Sequence, residues 1–175
     1  RQMCIRDRYR MDAVHLYADI INLDDILDNT ESEGPLCHKR TLRFLNQHYR
    51  ALHRILEECG AISVDFHNQR LHSVVVTPYN SESNAEAKRI RKAVAIAQLI
   101  IDVLDETGDD DENVPNAKVA VGIDSGKALA VNNGRRGGRE PLFLGPPANL
   151  AAKHSVSRTP GIYLTNEARV LIGLK

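Results

Sequence analysis

Hydrophobic and polar positions alternate along the chain in a way that predicts a series of strands and helices. Residues Val14 to Ile21, VHLYADII, form an apolar run interrupted by one acid, which predicts a buried strand with Asp19 near its end. Apolar residues then recur at three- and four-residue steps from Leu42 to Leu56, which predicts an amphipathic helix that stops at Gly60. Because an acid in a buried strand needs a reason, Asp19 is the first candidate for chemistry.

Two hairpins are predicted in the following segments. Residues 62–66 alternate apolar and polar, and 71–77 form a β-branched run, so His67-Asn68-Gln69 is predicted to be the turn between two strands. Residues 118–124 also alternate, and 127–131 can pair with them across the intervening Ser-Gly pair as a second hairpin.

The remaining elements complete an α+β pattern. Residues 86–104 have helical spacing, 142–144 and 161–164 are short apolar strands, and Pro147 can open a helix through Lys153. The order of these elements is that of a ferredoxin-like βαββαβ core with extra elements. We therefore expect an antiparallel sheet with helices packed on one face.

Length and composition favour one domain. The chain has 175 residues and 42% hydrophobic content, enough to bury a core. Residues 1–11 are rich in arginine and lack an amphipathic period, so they are predicted to be a non-native or disordered lead, and 12–175 to form the domain.

Charge and cysteine content exclude several functions. Lys+Arg and Asp+Glu both total 23, so no net field attracts nucleic acid or an anionic membrane. Three widely spaced cysteines without a CxxC pair argue against a disulfide framework and fit a reducing cytoplasm. No apolar stretch approaches the roughly 20 residues that cross a bilayer. A soluble, cytoplasmic protein is expected.

Two loops and the histidines carry weaker signals. The acidic segment TGDDDENVPN lacks the ligand spacing of an EF-hand and is predicted to be a solvated loop. Arg135, Arg136 and Arg139 lie in a glycine-rich segment that lacks the setting of a P-loop; a solvated hairpin tip is favoured over a triphosphate contact. The histidines show no metal spacing, and His72 is expected to be hydrogen-bonded in the core hairpin.

Three stretches together resemble the catalytic domain of class III adenylate and guanylate cyclases. They are YADIINLDD (17–25), GAISVDFHNQRLHSVVV (60–76), and VGIDSGKALAVNNG with FLGPPANLAAK (121–134 and 143–153). The resemblance covers roughly residues 14–172. It implies the extended ferredoxin-like fold of those enzymes, and conversion of a nucleoside triphosphate to a 3′,5′-cyclic nucleotide and pyrophosphate in signalling.

The resemblance also implies a site for Mg²⁺ or Mn²⁺ at the end of the first strand. Asp19 would supply a carboxylate, the Ile20 carbonyl would lie beside it, and the turn Asn22-Leu23-Asp24 would place backbone N–H groups near the phosphates. The alternative is that Asp19 only caps the following helix.

This sequence departs from the family at other site positions. The second metal carboxylate falls on Asn68, a neutral amide, with Asp65 as the alternative ligand and an ordinary turn residue as the alternative reading of Asn68. The base-reading Lys and Asp of adenylate cyclases correspond to Val64 and Leu142, which cannot make those hydrogen bonds. A pyrimidine nucleotide is therefore a candidate substrate, as in bacterial antiphage cyclases.

The resemblance places two further residues in a partner's site. Asn149 matches the ribose-orienting Asn, and Lys153, four residues on, replaces the transition-state Arg, keeping its charge without its bidentate fork. Because class III sites form at a twofold interface, the resemblance implies a homodimer, or a heterodimer with one site. A triphosphate-binding Lys of the family has no counterpart, so a truncated C-terminus is expected.

Three hypotheses follow for function. The first is an active, divergent nucleotidyl cyclase. The alternative is a catalytically silent cyclase-homology domain that serves in dimerisation or nucleotide sensing. The third, an unrelated ferredoxin-like binding domain, has the same strand order but does not predict the glycine and asparagine motifs.

Overall fold

The structure, a computed structural model, describes residues 8–27, 36–107, 116–133 and 140–174. The predictions for residues 1–7, for most of the acidic loop, and for Arg135, Arg136 and Arg139 fall outside this part of the chain. Its elements, in chain order, are β1 (Arg8–Ile20), α1 (Leu23–Leu27), α2 (Leu36–Glu58), β2 (Ile62–His67), β3 (Arg70–Val75), α3 (Ala85–Glu106), β4 (Val119–Asn133), β5 (Glu140–Leu144), α4 (Pro146–Ser155), β6 (Gly161–Leu164) and α5 (Asn166–Leu171).

The six strands form one sheet in the order β2-β3-β1-β4-β5, and β6 pairs in parallel with β4. All other pairs are antiparallel. Strands β5 and β6 share one edge of β4, because β5 pairs with residues 129–133 and β6 with residues 120–123. The predicted α+β class, with a mainly antiparallel sheet, is confirmed.

The central pair β1–β4 is longer than the sequence pattern indicated. Strand β4 is unbroken from Val119 to Asn133, so the predicted hairpin across Ser125-Gly126 is wrong. Both of these residues pair with β1, which supplies a backbone partner for β4 from Val119 to Val131. Gly126 serves packing instead, since a Cβ there would lie 2.8 Å from the Pro147 side chain. The glycine resembles a turn signal but marks a close approach.

Strand β1 also begins earlier than predicted, at Arg8 rather than Val14. Residues 8–11 pair with residues 128–131 of β4, so excluding them from the fold as part of a disordered lead was wrong. Met11 packs against a small apolar cluster on the sheet, whereas Tyr9 is exposed. Strand β1 extends to Arg8 because β4 pairs with it there, although these residues show no clean apolar alternation.

The main core lies between the sheet and the two long helices. Strand β1 contributes its alternate residues Val14, Leu16, Ala18 and Ile20, all buried. Burying each larger apolar side chain contributes about 1.5–3 kcal/mol. Helices α2 and α3 cover this face with a second set of buried residues: Phe44, Leu52, Ile55, Leu56, Ile90, Ala93, Ile96, Ala97, Ile100 and Leu104.

Helix α4 lies on the face of the sheet opposite to α2 and α3. The expectation that the helices pack on one face therefore holds for α2 and α3 but not for α4. Helix α4 packs closely on β4, because a Cβ at Gly122 would lie 2.0 Å from the Ala151 carbonyl oxygen. Gly122 pairs with Tyr17, so α4 and the Tyr17 side chain share this face.

The backbone conformation at two predicted element ends agrees with the residues found there. Gly60, after α2, has φ +62°, and Asn68, between β2 and β3, has φ +54°, the left-handed conformation that Gly and Asn tolerate best. Among the described residues, no helix combines the length and the apolar character that a membrane span requires.

Candidate active site

A partly buried ion pair lies at the end of the central strand β1. Asp19, with a side chain 8% exposed, pairs in register with Arg70, the first residue of β3. The Arg70 Nη2 and Nε groups both donate to Asp19 Oδ2, at 2.6 and 3.0 Å. Because both donors converge on one oxygen, the other carboxylate oxygen is left for a different ligand.

That second oxygen, Asp19 Oδ1, is buried and accepts no hydrogen bond from the described residues. An unsatisfied buried acceptor costs about 1–3 kcal/mol, so a cation at this position would relieve a cost that the fold otherwise carries. A carboxylate oxygen is a preferred ligand of Mg²⁺. The residue thus fits the metal role that the resemblance implies. A cap of α1 gains no support, since the hydrogen bonds of Asp19 go to Arg70.

The turn after β1 is held by the buried side chain of Asn22. Its amide donates to the Asn116 carbonyl at 2.8 Å and accepts from the Lys118 backbone N–H at 2.8 Å. These bonds fix the turn to the entry of β4. Helix α1 then begins at Leu23, followed by the exposed Asp24, so these N–H groups open a helix as expected. Their contact with phosphate stays a prediction.

A cavity of about 420 Å³ lies beside the ion pair at the β2–β3 hairpin, lined by Tyr17, Asp65, His67, Asn68, Gln69, Arg70 and His72. It brings the two candidates for the second metal ligand, Asn68 and Asp65, to the same wall as Arg70. Both are exposed, and Asn68 has the backbone of a turn residue. No group of three or more His, Cys, Asp or Glu residues in the described chain is arranged to hold a metal.

A stack of aromatic rings lies on the same face of the sheet as the cavity. His15 Nδ1 and His72 Nε2 lie 3.0 Å apart, and the Tyr17 ring stacks on His72 with centroids 4.2 Å apart. Burial lowers the pKa of His15 to about 3, helped by the charge of His72, and burial lowers the pKa of His72 to about 4. Two neutral imidazoles therefore share this hydrogen bond, and the expectation of a hydrogen-bonded His72 is confirmed.

The two candidate base-reading positions are apolar and partly buried. Val64 packs in the small cluster that contains Val74, Val76, Ala128 and Phe143. Leu142, next to Phe143, is half-buried and pairs with Val131. Strands β2 and β5 contact each other although they lie at opposite ends of the strand order, so the sheet curls. Whether these positions meet a base stays a prediction.

Helix α4 presents Asn149 and Lys153 outward. Both are exposed, whereas Pro147, Ala148, Ala151 and Ser155 form the buried side of the helix. Neither Asn149 nor Lys153 lines the cavity beside Asp19. A single chain therefore does not bring the two groups of predicted site residues together.

Arg70 and His15 are the site residues that sequence reasoning missed. The position of Arg70 opposite Asp19 depends on the register between β1 and β3, which no local pattern reports. For His15 a signal was present: His15, Tyr17 and Asp19 alternate with the core residues of β1 and so must share the other face.

The fold of this chain is similar to that of solved class III cyclase domains. The crystal structure of a class III adenylyl cyclase-like ATP-binding protein from Pseudomonas aeruginosa matches with a TM-score of 0.89 and 66% identity, over 96% of this chain and 36% of that one. The catalytic core of a rhodopsin-guanylyl cyclase matches with a TM-score of 0.74 and 18% identity, over 96% and 85%, which shows a shared fold. The chain is thus a divergent class III nucleotidyl cyclase-type domain.

Curated relatives narrow the relationship within this class. The chain is 67% identical over 167 residues to a uridylate cyclase from Pseudomonas aeruginosa, and 38% identical over 165 residues to a uridylate cyclase from a Rhizobium species. These matches cover 95% and 94% of this chain. The chain spans about a third of the relatives' length, 32% and 31% respectively. No protein-family profile matches it.

Proposed function

We propose that this chain is the catalytic domain of a nucleotidyl cyclase that converts UTP to 3′,5′-cyclic UMP and pyrophosphate. The buried Asp19, with one oxygen on Arg70 and the other without a partner among the described residues, is the observation that carries the proposal. The name of the 67% identical relative, uridylate cyclase, supports the choice of nucleotide.

The reaction drives a ribose 3′-hydroxyl onto the α-phosphate and expels pyrophosphate, so negative charge builds on phosphate oxygens. A bound Mg²⁺ or Mn²⁺ would supply electrostatic stabilisation of that charge. Asp19 Oδ1, with the Ile20 carbonyl beside it, would hold the ion. Asp65 and Asn68, at the cavity wall, are the candidates for a further ligand. Leu23 and Asp24 would direct backbone N–H groups to the phosphates.

Val64 and Leu142 support selection of a pyrimidine. Two apolar side chains offer no hydrogen bonds to the edge of adenine, so they remove the usual means of recognising that base. The two uridylate cyclase relatives are consistent with this selection.

The exposed α4 supports a shared site in a homodimer. Asn149 would orient the ribose, and Lys153 would place a positive charge near the reacting phosphorus, both acting in the site of a second copy. Leu150 and Leu144 are 38% and 48% exposed near this helix, which supplies apolar surface for such an interface. We place the enzyme in signalling in the cytoplasm, where nucleoside triphosphates are available.

The test is incubation of the full-length protein with each of the four ribonucleoside triphosphates and Mg²⁺ or Mn²⁺, followed by mass analysis of products. We expect cyclic UMP from UTP, and a loss of at least about 100-fold in Asp19→Ala, the scale of removing one preorganised charge. Asp105→Ala, an exposed acid on α3, is the matched control. Absence of any cyclic product from correctly folded dimers would overturn the proposal.

A silent nucleotide-sensing domain is the second candidate. It is favoured by one observation: Arg70 already neutralises Asp19 without a metal. In the same experiment this function predicts that UTP binds, detected by calorimetry, while no cyclic product accumulates. Product formation that depends on Asp19 would exclude it.

A further inference from the structure

We propose that Arg70 binds the triphosphate of the substrate and takes the place of a second divalent cation in this site. The inference rests on the proposed cyclase function. It gives Arg70 a direct contact with substrate, in addition to its ion pair with Asp19.

The geometry of the guanidinium leaves donors for an anion. Nε and Nη2 donate to the single oxygen Asp19 Oδ2. A guanidinium has five N–H groups, so the two bonds leave three unused. The side chain of Arg70 is 36% exposed and lines the cavity at the hairpin, whereas Asp19 is buried behind it. Arg70 thus connects the buried carboxylate to the accessible space.

The cavity suits a phosphate group. Its volume of about 420 Å³ falls in the range of small-molecule sites. Asn68 and Gln69 add amide groups to the wall, and the planar fork of Arg matches phosphate oxygens. The exposed Asp65 carboxylate is the one described acid that lines the cavity. It repels an anion, so the attraction from Arg70 has to exceed this repulsion.

The net charge of the site connects Arg70 with the missing second carboxylate. Two divalent cations on two carboxylates carry two net positive charges, the arrangement of a two-metal site. One divalent cation, one arginine and one carboxylate carry the same net charge. In this chain the position of the second carboxylate is Asn68, and a fixed cation, Arg70, lies on the same hairpin. The loss of one acid and the presence of Arg70 therefore compensate each other.

Pyrophosphate, the leaving group, is the probe that needs neither turnover nor metal. We expect calorimetry with EDTA to show pyrophosphate binding by the full-length protein and a loss of about tenfold or more in Arg70→Gln, the effect of removing hydrogen bonds to a charged group. Arg70→Lys should lose less, since it keeps the charge. Arg54→Gln, which removes an exposed arginine paired with Glu58 on α2, is the matched control and should bind as wild type. Equal binding by Arg70→Gln would overturn the contact.

A charge exchange tests the replacement itself. Arg70→Gln should lower the cyclase rate, and adding Asn68→Asp should restore part of it with a steeper dependence on Mg²⁺ concentration, because a second ion is then bound. A double variant with no more activity than Arg70→Gln would contradict the replacement. Thermal unfolding of each variant checks folding. If wild type yields no cyclic UMP but Arg70 still governs pyrophosphate binding, the cyclase proposal fails while the anion contact stands.

Discussion

The two sides of strand β1 carry residues of different kinds. On one side Val14, Leu16, Ala18 and Ile20 are buried beneath α2 and α3. On the other side His15, Tyr17 and Asp19 contact His72 and Arg70. A strand that alternates with period two can therefore supply the core with one set of residues and the site with the other.

The difference separates stability from chemistry within one element. Substitutions on the core side should change the free energy of unfolding and leave ligand binding to folded protein unaffected. Substitutions of the polar residues of β1 should act on ligand binding or on the pH dependence of stability. The following predictions test this separation, beginning with the largest expected change in stability.

Leu16→Ala tests the core side. Leu16 is fully buried, so its truncation should lower the free energy of unfolding by about 2–5 kcal/mol, through lost transfer energy and a residual cavity. Urea denaturation followed by circular dichroism measures the change. Leu42→Ala, at a leucine that is 68% exposed on α2, is the control and should stay within about 0.5 kcal/mol of wild type. Equal effects at the two positions would contradict the assignment of the core face.

The His15–His72 pair makes stability depend on pH. Both folded pKa values, about 3 and about 4, lie below the ordinary value of 6.5, so the unfolded chain binds protons first as pH falls. Stability is then complete above pH 6.5 and decreases below it, by up to about 1.4 kcal/mol per pH unit for each ring, until the folded pKa values are reached.

Urea denaturation at pH values from 7 to 5 measures this dependence. The variant His15→Asn should flatten the curve, whereas His53→Gln, at an exposed histidine of α2, should leave it unchanged. A wild-type stability that is constant over this range would show that the rings are not held neutral by burial.

Gly122→Ala tests the packing of α4 against β4 on the polar side of the sheet. The added methyl group would meet the Ala151 carbonyl at 2.0 Å, and backbone cannot yield without shifting the helix, so we expect a loss of about 1–3 kcal/mol. Gly126→Ala meets the Pro147 ring instead, at 2.8 Å, and should cost less. Unfolding curves of the two variants decide the order, and a larger loss at Gly126 would contradict this packing.

The sequence predicted the elements whose signals are local. The β2–β3 turn at Asn68, helix α3 and strand β6 followed from alternation, helical spacing and turn residues, and the structure confirms them. Asp19 stood out because a lone acid interrupted an apolar run. Each of these signals lies within a few neighbouring residues.

Features that depend on partners distant in sequence were missed. Ser125-Gly126 indicated a turn, yet β1 pairs across it, and the arginine-rich start of β1 is held by β4. Arg70 faces Asp19 across 51 residues of sequence, so its role required the strand register. The side of the sheet that α4 covers likewise involves a contact distant in sequence, the close approach of Ala151 to Gly122 of β4.

The central claim is that the polar end of β1 is a nucleotide site with one carboxylate and one fixed cation. The direct measurement is anomalous scattering from crystals of the full-length protein grown with Mn²⁺ and a UTP analogue that cannot cyclise. We predict one Mn²⁺ on Asp19 Oδ1, with Arg70 bonded both to Oδ2 and to a phosphate oxygen. Two Mn²⁺ ions with Arg70 turned away, or nucleotide bound with no metal at Asp19, would contradict the account.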